Sequence, residues 1–125
     1  MRYLIDTHIL LWWLENSPRR LAEVRRTIAN PQAVVFVSAA SIWEMSIKQG
    51  VVKLSVPEDL LKMLNVNRFQ VLDVTAVHGL EVAKLPNYHK DPFDRMLIAQ
   101  ARAEGLTLVS SDSKFEGYEV RWLRA

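Results

Sequence analysis

The chain has 125 residues, half of them hydrophobic and 24 % charged, with a formal net charge of +2. That suits one domain, residues 1–125, with a real core, and is too short for two of ordinary size. With no cysteine there is neither a disulfide framework nor a thiolate metal site, which fits a cytoplasmic protein, and the charge alone does not point to nucleic acid.

RYLI at the N-terminus reads as a short apolar strand, followed by the helix DTHILLWWLE with Asp6 or Thr7 as its cap. The apolar run Ile9 to Leu14 is far shorter than a membrane span. It follows Asp6 and His8 without a small-residue cleavage site, so no secretory signal is expected. Trp12 and Trp13 are adjacent and point to different sides, which predicts one in the core and leaves the other for the surface.

SPRRLAEVRRTIAN predicts a helix with Ser17 as N-cap and Pro18 at its first position, stopped by Asn30 and Pro31. Leu21, Val24 and Ile28 form its buried stripe, leaving Arg19, Arg25 and Arg26 outward. AVVFV, residues 33–37, is a β-branched run typical of a strand buried on both faces. Ser38 then opens the helix AASIWEMSIKQG, closed by Gly50. Pro57 begins a further helix, EDLLKMLNV. FQVLDV supplies a third strand, and TAVHGLEVAKLP a helix ended by Pro86. KDPFDRMLIAQARAEG starts with Asp91 as cap and Pro92 at the first helical position. A fourth strand at 106–109 and a last one, YEVRWL, complete the chain. Alternating strands and helices imply a three-layer α/β/α fold with a mostly parallel sheet of four to five strands. In such sheets ligands bind beyond the carboxyl ends of the strands, near a topological switch point.

Acidic residues gather at those positions. Asp6 directly follows the first strand, Asp112 the fourth, and Glu44 lies nearly two turns into the helix after AVVFV. Asp91 and Asp94 open the helix that leads into the fourth strand. Each has a bland alternative: Asp6 as a simple N-cap, Asp112 as a turn residue in SSDSK, Asp91 and Asp94 as capping and dipole residues. Glu44 and Asp94 sit above apolar stripes, Ala40 with Ile47 and Ile98 with Ala101, where a lone carboxylate is costly unless paired or bound to a cation. Clustered carboxylates raise one another's pKa, and a divalent cation removes the conflict. With oxygen donors and no cysteine, Mg²⁺ or Mn²⁺ is the natural partner, and phosphodiester hydrolysis the chemistry.

At YLIDTHILLWWL, VSAASIWEMSIK and KDPFDRMLIAQARAEGLTLVSSDSKF the sequence resembles the PIN-domain family, particularly the VapC-like ribonuclease toxins of toxin–antitoxin systems. The resemblance implies a Mg²⁺- or Mn²⁺-dependent endoribonuclease with an RNA substrate, a homodimer, and a small antitoxin that fills a groove near the site. It puts the catalytic and metal-binding positions on Asp6, Glu44 and Asp112. Many relatives carry the remaining aspartate three residues before an Ile-Ala pair, where this chain has Arg95. Asp94 is therefore taken as that carboxylate, with Asp91 as helix cap and outer-sphere ligand. Thr7 and Ser110 are candidates to hydrogen-bond the carboxylates, and Ser38 and Ser41 are read as structural. Arg95, Lys48 and Lys90 are candidates for substrate phosphates, against the ordinary use of such side chains in solvated ion pairs. His8, His78 and His89 show no metal-ligand spacing, so a histidine base is not expected. PRRLAEVRR offers a basic rim, but a plain solvated helix face is the preferred reading. A non-catalytic nucleic-acid or protein binding module on the same fold is the alternative. An aspartyl-phosphate receiver is disfavoured, because VVFVSA lacks the acceptor aspartate after a central strand.

Overall fold

Strand β1 (Arg2–Ile5) is central, flanked in parallel by β2 (Val34–Ser38). The protein is seen in a computed structural model that describes residues 1–15, 22, 24–49, 56–88 and 90–124. β3 (Phe69–Leu72) lies outside β2, while β4 (Thr107–Ser110) takes the other side of β1, with β5 (Trp122–Arg124) beyond it. The order is β3-β2-β1-β4-β5, and every pairing is parallel.

Period-two alternation divides the core between the two faces. Tyr3 and Ile5 of β1 join Val35, Val37 and Val109 in one cluster, while Leu4 and Leu108 belong to the other. Helices α1 (Thr7–Leu14), α2 (Arg25–Ala29), α3 (Ala39–Gln49) and α4 (Leu60–Val66) cover the first face with Ile9, Leu10, Ile28, Met45 and Leu64. Helices α5 (Ala76–Val82) and α6 (Pro92–Glu104) cover the second, through Leu97, Ile98 and Ala101. The three-layer architecture expected from the alternating pattern is the one observed, with all five strands parallel.

Several boundaries differ from the sequence reading. The helix expected from Pro57 starts at Leu60, because Pro57 to Asp59 form a turn in which the Leu60 N–H bonds to the Pro57 carbonyl at 3.2 Å. β4 is shifted one residue, to 107–110. The last strand is only Trp122–Arg124, since Tyr118 is buried in the core and its ring meets Tyr88 at 5.2 Å instead of entering the sheet. β2 takes in Ser38, whose Oγ still accepts the Ala40 N–H at 3.0 Å, so one residue ends the strand and starts the helix. Neither Trp12 nor Trp13 is fully buried or exposed: both lie half-buried against the first cluster, and Trp13 Nε1 donates to Asn67 Oδ1 at 3.0 Å. Arg25 lies over the Trp13 ring rather than standing free in solvent. Ser17, Pro18, Arg19, Leu21, Gly50 and His89 lie outside the described residues. Among the described residues no helix is long and apolar enough to cross a membrane.

The α5–α6 pair is fastened by polar contacts. The Thr75 hydroxyl accepts the His78 N–H at 3.3 Å, and His78 Nδ1 accepts the Thr75 N–H at 3.1 Å, a reciprocal cap that starts α5. With Nδ1 accepting, the ring proton belongs on Nε2, which faces Glu104 Oε1 on α6 at 2.9 Å. Arg95 of α6 donates to the Val82 and Pro86 carbonyls, both at 3.0 Å. These contacts fix where the N-terminus of α6 lies. Its far end closes at Gly105, in the left-handed region at φ 65°.

Candidate active site

The chain builds β1, β2 and β3 outward in one direction, then crosses back to lay β4 on the opposite side of β1. The β1–β4 seam is therefore the topological switch point, and both strands end there. Ile5 is in register with Val109, and the Asp6 N–H continues the ladder to the Val109 carbonyl at 3.0 Å. Asp6 consequently emerges beside Ser110. One Asp6 oxygen accepts the Ile9 N–H at 2.9 Å as the α1 cap, and the other accepts the Ser110 hydroxyl. Ser110 Oγ also accepts the Asp112 N–H at 3.0 Å, so a single serine joins the ends of both strands. Burial pushes the Asp6 carboxyl above the ordinary range, opposed by the bonds from Ser110 and Ile9, with Asp112 adding to the rise.

Glu44 arrives from the other neighbour of β1. It sits on α3 after β2, and its buried carboxylate accepts the Thr7 hydroxyl at 2.7 Å on one oxygen. Lys48, one helical turn further on, meets the other oxygen at 2.6 Å. Capping and chemistry thus share α1: Asp6 starts it, and Thr7 beside Asp6 holds Glu44.

Asp91 and Asp94 come from the start of α6. Asp91 is its N-cap, accepting the Phe93 N–H at 2.9 Å and the Asp94 N–H at 3.4 Å through Oδ1. Asp94, in the first turn, has its pKa raised to about 7, by burial first and then by Asp91, Glu44, Asp6 and Asp112. Carboxylates from four segments are thereby within electrostatic reach of one another. Lys48 feels Asp91 and Asp94 as well as Glu44, and its own pKa rises, chiefly through its hydrogen bond to Glu44.

The remaining candidates fall differently. Arg95 commits two guanidinium nitrogens to the backbone carbonyls of Val82 and Pro86. Lys90 is exposed beside Asp91, and His8 is exposed on α1. His78 belongs to the α5 cap. Sequence reasoning passed over Trp43, which precedes Glu44, is 64 % exposed, and meets the Phe93 ring edge-on at 5.3 Å. Trp43 and Phe93 wall an apolar cavity of about 500 Å³. An indole next to a site carboxylate on α3 was the available signal.

The donor set suits a hard divalent cation, being carboxylate oxygen throughout; Asp94 is raised by burial first and then by the acids around it, and such a cation would offset their repulsion. Among the described residues no three acidic or histidine side chains form a group that could hold an ion. The Glu44 carboxylate is turned to Thr7 and Lys48.

Residues 3–120 match the PIN domain family model. The chain is 28 % identical over 122 residues to the tRNA(fMet)-specific endonuclease VapC of Shigella flexneri, covering 91 % of this chain and 89 % of that one. Its fold is similar to a chain of VapBC2 from Rickettsia felis, solved bound to a DNA fragment from their promoter, with TM-score 0.75, 20 % identity and 99 % and 98 % coverage. A chain of DNA-bound VapBC from Salmonella typhimurium superposes with TM-score 0.70, again at 20 % identity over 99 % and 98 % of the two chains.

Proposed function

The chain belongs to the PIN-domain family, and on that premise we propose that it is a Mg²⁺- or Mn²⁺-dependent endoribonuclease, the toxin of a toxin–antitoxin pair. One observation carries the reading: Asp6 and Asp112 follow the adjacent strands β1 and β4 and share Ser110, while Asp94, raised to about 7 by burial first, also feels Asp91, Glu44, Asp6 and Asp112.

The reaction is hydrolysis of an RNA phosphodiester: a water oxygen bonds to phosphorus, the bond to the leaving sugar oxygen breaks, and the water proton passes to a carboxylate of the cleft. A divalent ion, when bound, supplies charge for the phosphate and lowers the pKa of the attacking water. Asp6 and Glu44 are held by Ser110, the Ile9 amide and Thr7, so they meet substrate without first losing side-chain freedom. Asp94 and Asp112 complete the acidic wall, and Asp91 keeps α6 in place through its cap.

For partners, the reading takes RNA as substrate, an antitoxin protein as inhibitor and a second copy of the chain as homodimer, in the cytoplasm. Exposed Trp43, Val74, Val77 and Leu80 give an apolar surface for protein contact next to the acidic edge. The test is cleavage of total RNA by the purified protein. Cleavage with Mn²⁺ that chelation abolishes, and that Asp6→Asn and Asp112→Asn lose, supports the assignment. Full cleavage by Asp6→Asn contradicts it, and RNA binding without cleavage in any divalent ion identifies a binding module instead.

A further inference from the structure

Lys48 does not stand towards solvent as a lysine of an exposed helix pair would. Its ammonium lies 2.6 Å from Glu44 Oε2, and the two side chains are 45 % and 7 % exposed. An i, i+4 pair on an open helix face contributes little. Here the acid is buried, and its other oxygen is already committed to Thr7 of α1. Lys48 also lies in the field of Asp91 and Asp94, which belong to a different helix, α6. An ammonium that bonds a buried carboxylate and lies in the field of two further acids does the electrostatic work of a bound cation.

We propose that Lys48 is the resident counter-ion of this acidic cleft, holding Glu44 through its ammonium in the metal-free protein and competing with a divalent cation for that carboxylate. The proposal rests on the reading of the cleft as a divalent-ion site. It accounts for two observations together: Glu44 Oε2 is turned to the Lys48 ammonium, and among the described residues no three acidic or histidine side chains form a group that could hold an ion. While Oε2 is turned to the ammonium, Glu44 cannot close on an ion shared with Asp6 or Asp94. Binding of the ion then requires the lysine to withdraw, and its side chain, nearly half exposed on a four-carbon stem, has room to swing outward. The ammonium so released stays at the mouth of the cleft. The fold thus stabilises its acidic edge when no metal is present, and the cost appears as a weakened metal affinity.

The experiment is Mn²⁺ titration of the full chain by calorimetry without RNA, comparing wild type, Lys48→Met, Lys48→Gln and Lys48→Arg, with thermal melting of each in chelator and in saturating Mn²⁺. Removing a unit positive charge this close to the ion should tighten Mn²⁺ binding roughly tenfold in the methionine and glutamine variants. Their melting temperatures in chelator should fall below wild type, because the buried Glu44 loses its cation, and their gain on adding Mn²⁺ should be larger. Lys48→Arg, which keeps the charge, should bind Mn²⁺ like the wild type. Unchanged or weaker Mn²⁺ binding in both neutral variants overturns the proposal, as does an arginine variant that behaves like them. Should neither the wild type nor any variant bind Mn²⁺, the divalent-ion reading of the cleft falls with it, whereas wild-type binding untouched by Lys48→Met removes this inference alone.

Discussion

The Ser110 hydroxyl donates to Asp6 across the seam between β1 and β4, and the same oxygen accepts the Asp112 N–H at 3.0 Å. Two carboxylate positions far apart in sequence depend on one small side chain. A hydrogen bond to a charged group contributes about 1.5–3 kcal/mol, so Ser110→Ala should slow RNA cleavage roughly 10- to 100-fold. The circular dichroism spectrum should stay that of the folded wild type. Undiminished single-turnover cleavage in Ser110→Ala would show that the serine does not position Asp6.

Asp94 keeps its proton to about pH 7 in the folded protein, against 3.8 for an unperturbed aspartate. Between those values the folded state binds more protons than the unfolded one, so stability falls as pH rises through that window and levels off above it. Asp94→Asn carries no such charge. In chelator, its urea midpoint should lie above wild type at pH 8, and the advantage should shrink towards pH 4. Parallel wild-type and variant curves across this range would contradict the raised pKa.

Thr7 is the hydroxyl donor to buried Glu44 Oε1. Thr7→Val keeps the shape and deletes the donor, leaving a desolvated carboxylate oxygen short of a partner, which costs about 1–3 kcal/mol. Urea denaturation in chelator measures this loss. A change below a few tenths of a kcal/mol would mean that water or another group serves that oxygen as well.

His78 is buried, caps α5 reciprocally with Thr75 and reaches Glu104 of α6. His78→Ala should destabilise the fold by about 2 kcal/mol through the lost cap and bridge. Cleavage per folded molecule, measured well below the melting transition, should remain near wild type, because the imidazole serves the helix pair. A hundredfold loss of rate in folded His78→Ala would assign the histidine a direct part in the reaction.

The central strands were legible because RYLI and AVVFV are largely apolar runs, the pattern of buried parallel strands, whereas edge strand β3 buries only Phe69 fully. Asp91 and Pro92 announced α6 in the same local way. Element ends set by distant contacts were not legible: Tyr118 leaves the expected last strand for a ring contact with Tyr88. The acidic residues could be named from their places after strands. What holds them could not be read locally, since Thr7 reaches Glu44 from 37 residues away and Ser110 reaches Asp6 from 104. The Glu44–Lys48 spacing was in plain view, but its meaning came from burial. Arg95 could be named only as one candidate for phosphate; its bonds to the Val82 and Pro86 carbonyls depend on a neighbouring helix and were not legible.

Because β1 pairs directly with β4, the acidic edge cannot be assembled while the polypeptide is still being made. The ribosome releases the first aspartate early, but its serine partner is encoded about a hundred codons later. A truncated or stalled product ending before Thr107 therefore holds Asp6, Glu44 and Asp94 without the strand that brings them to Asp112. On the proposed reading such a fragment should cleave no RNA, and the activity should arise only near the close of the protein's own synthesis.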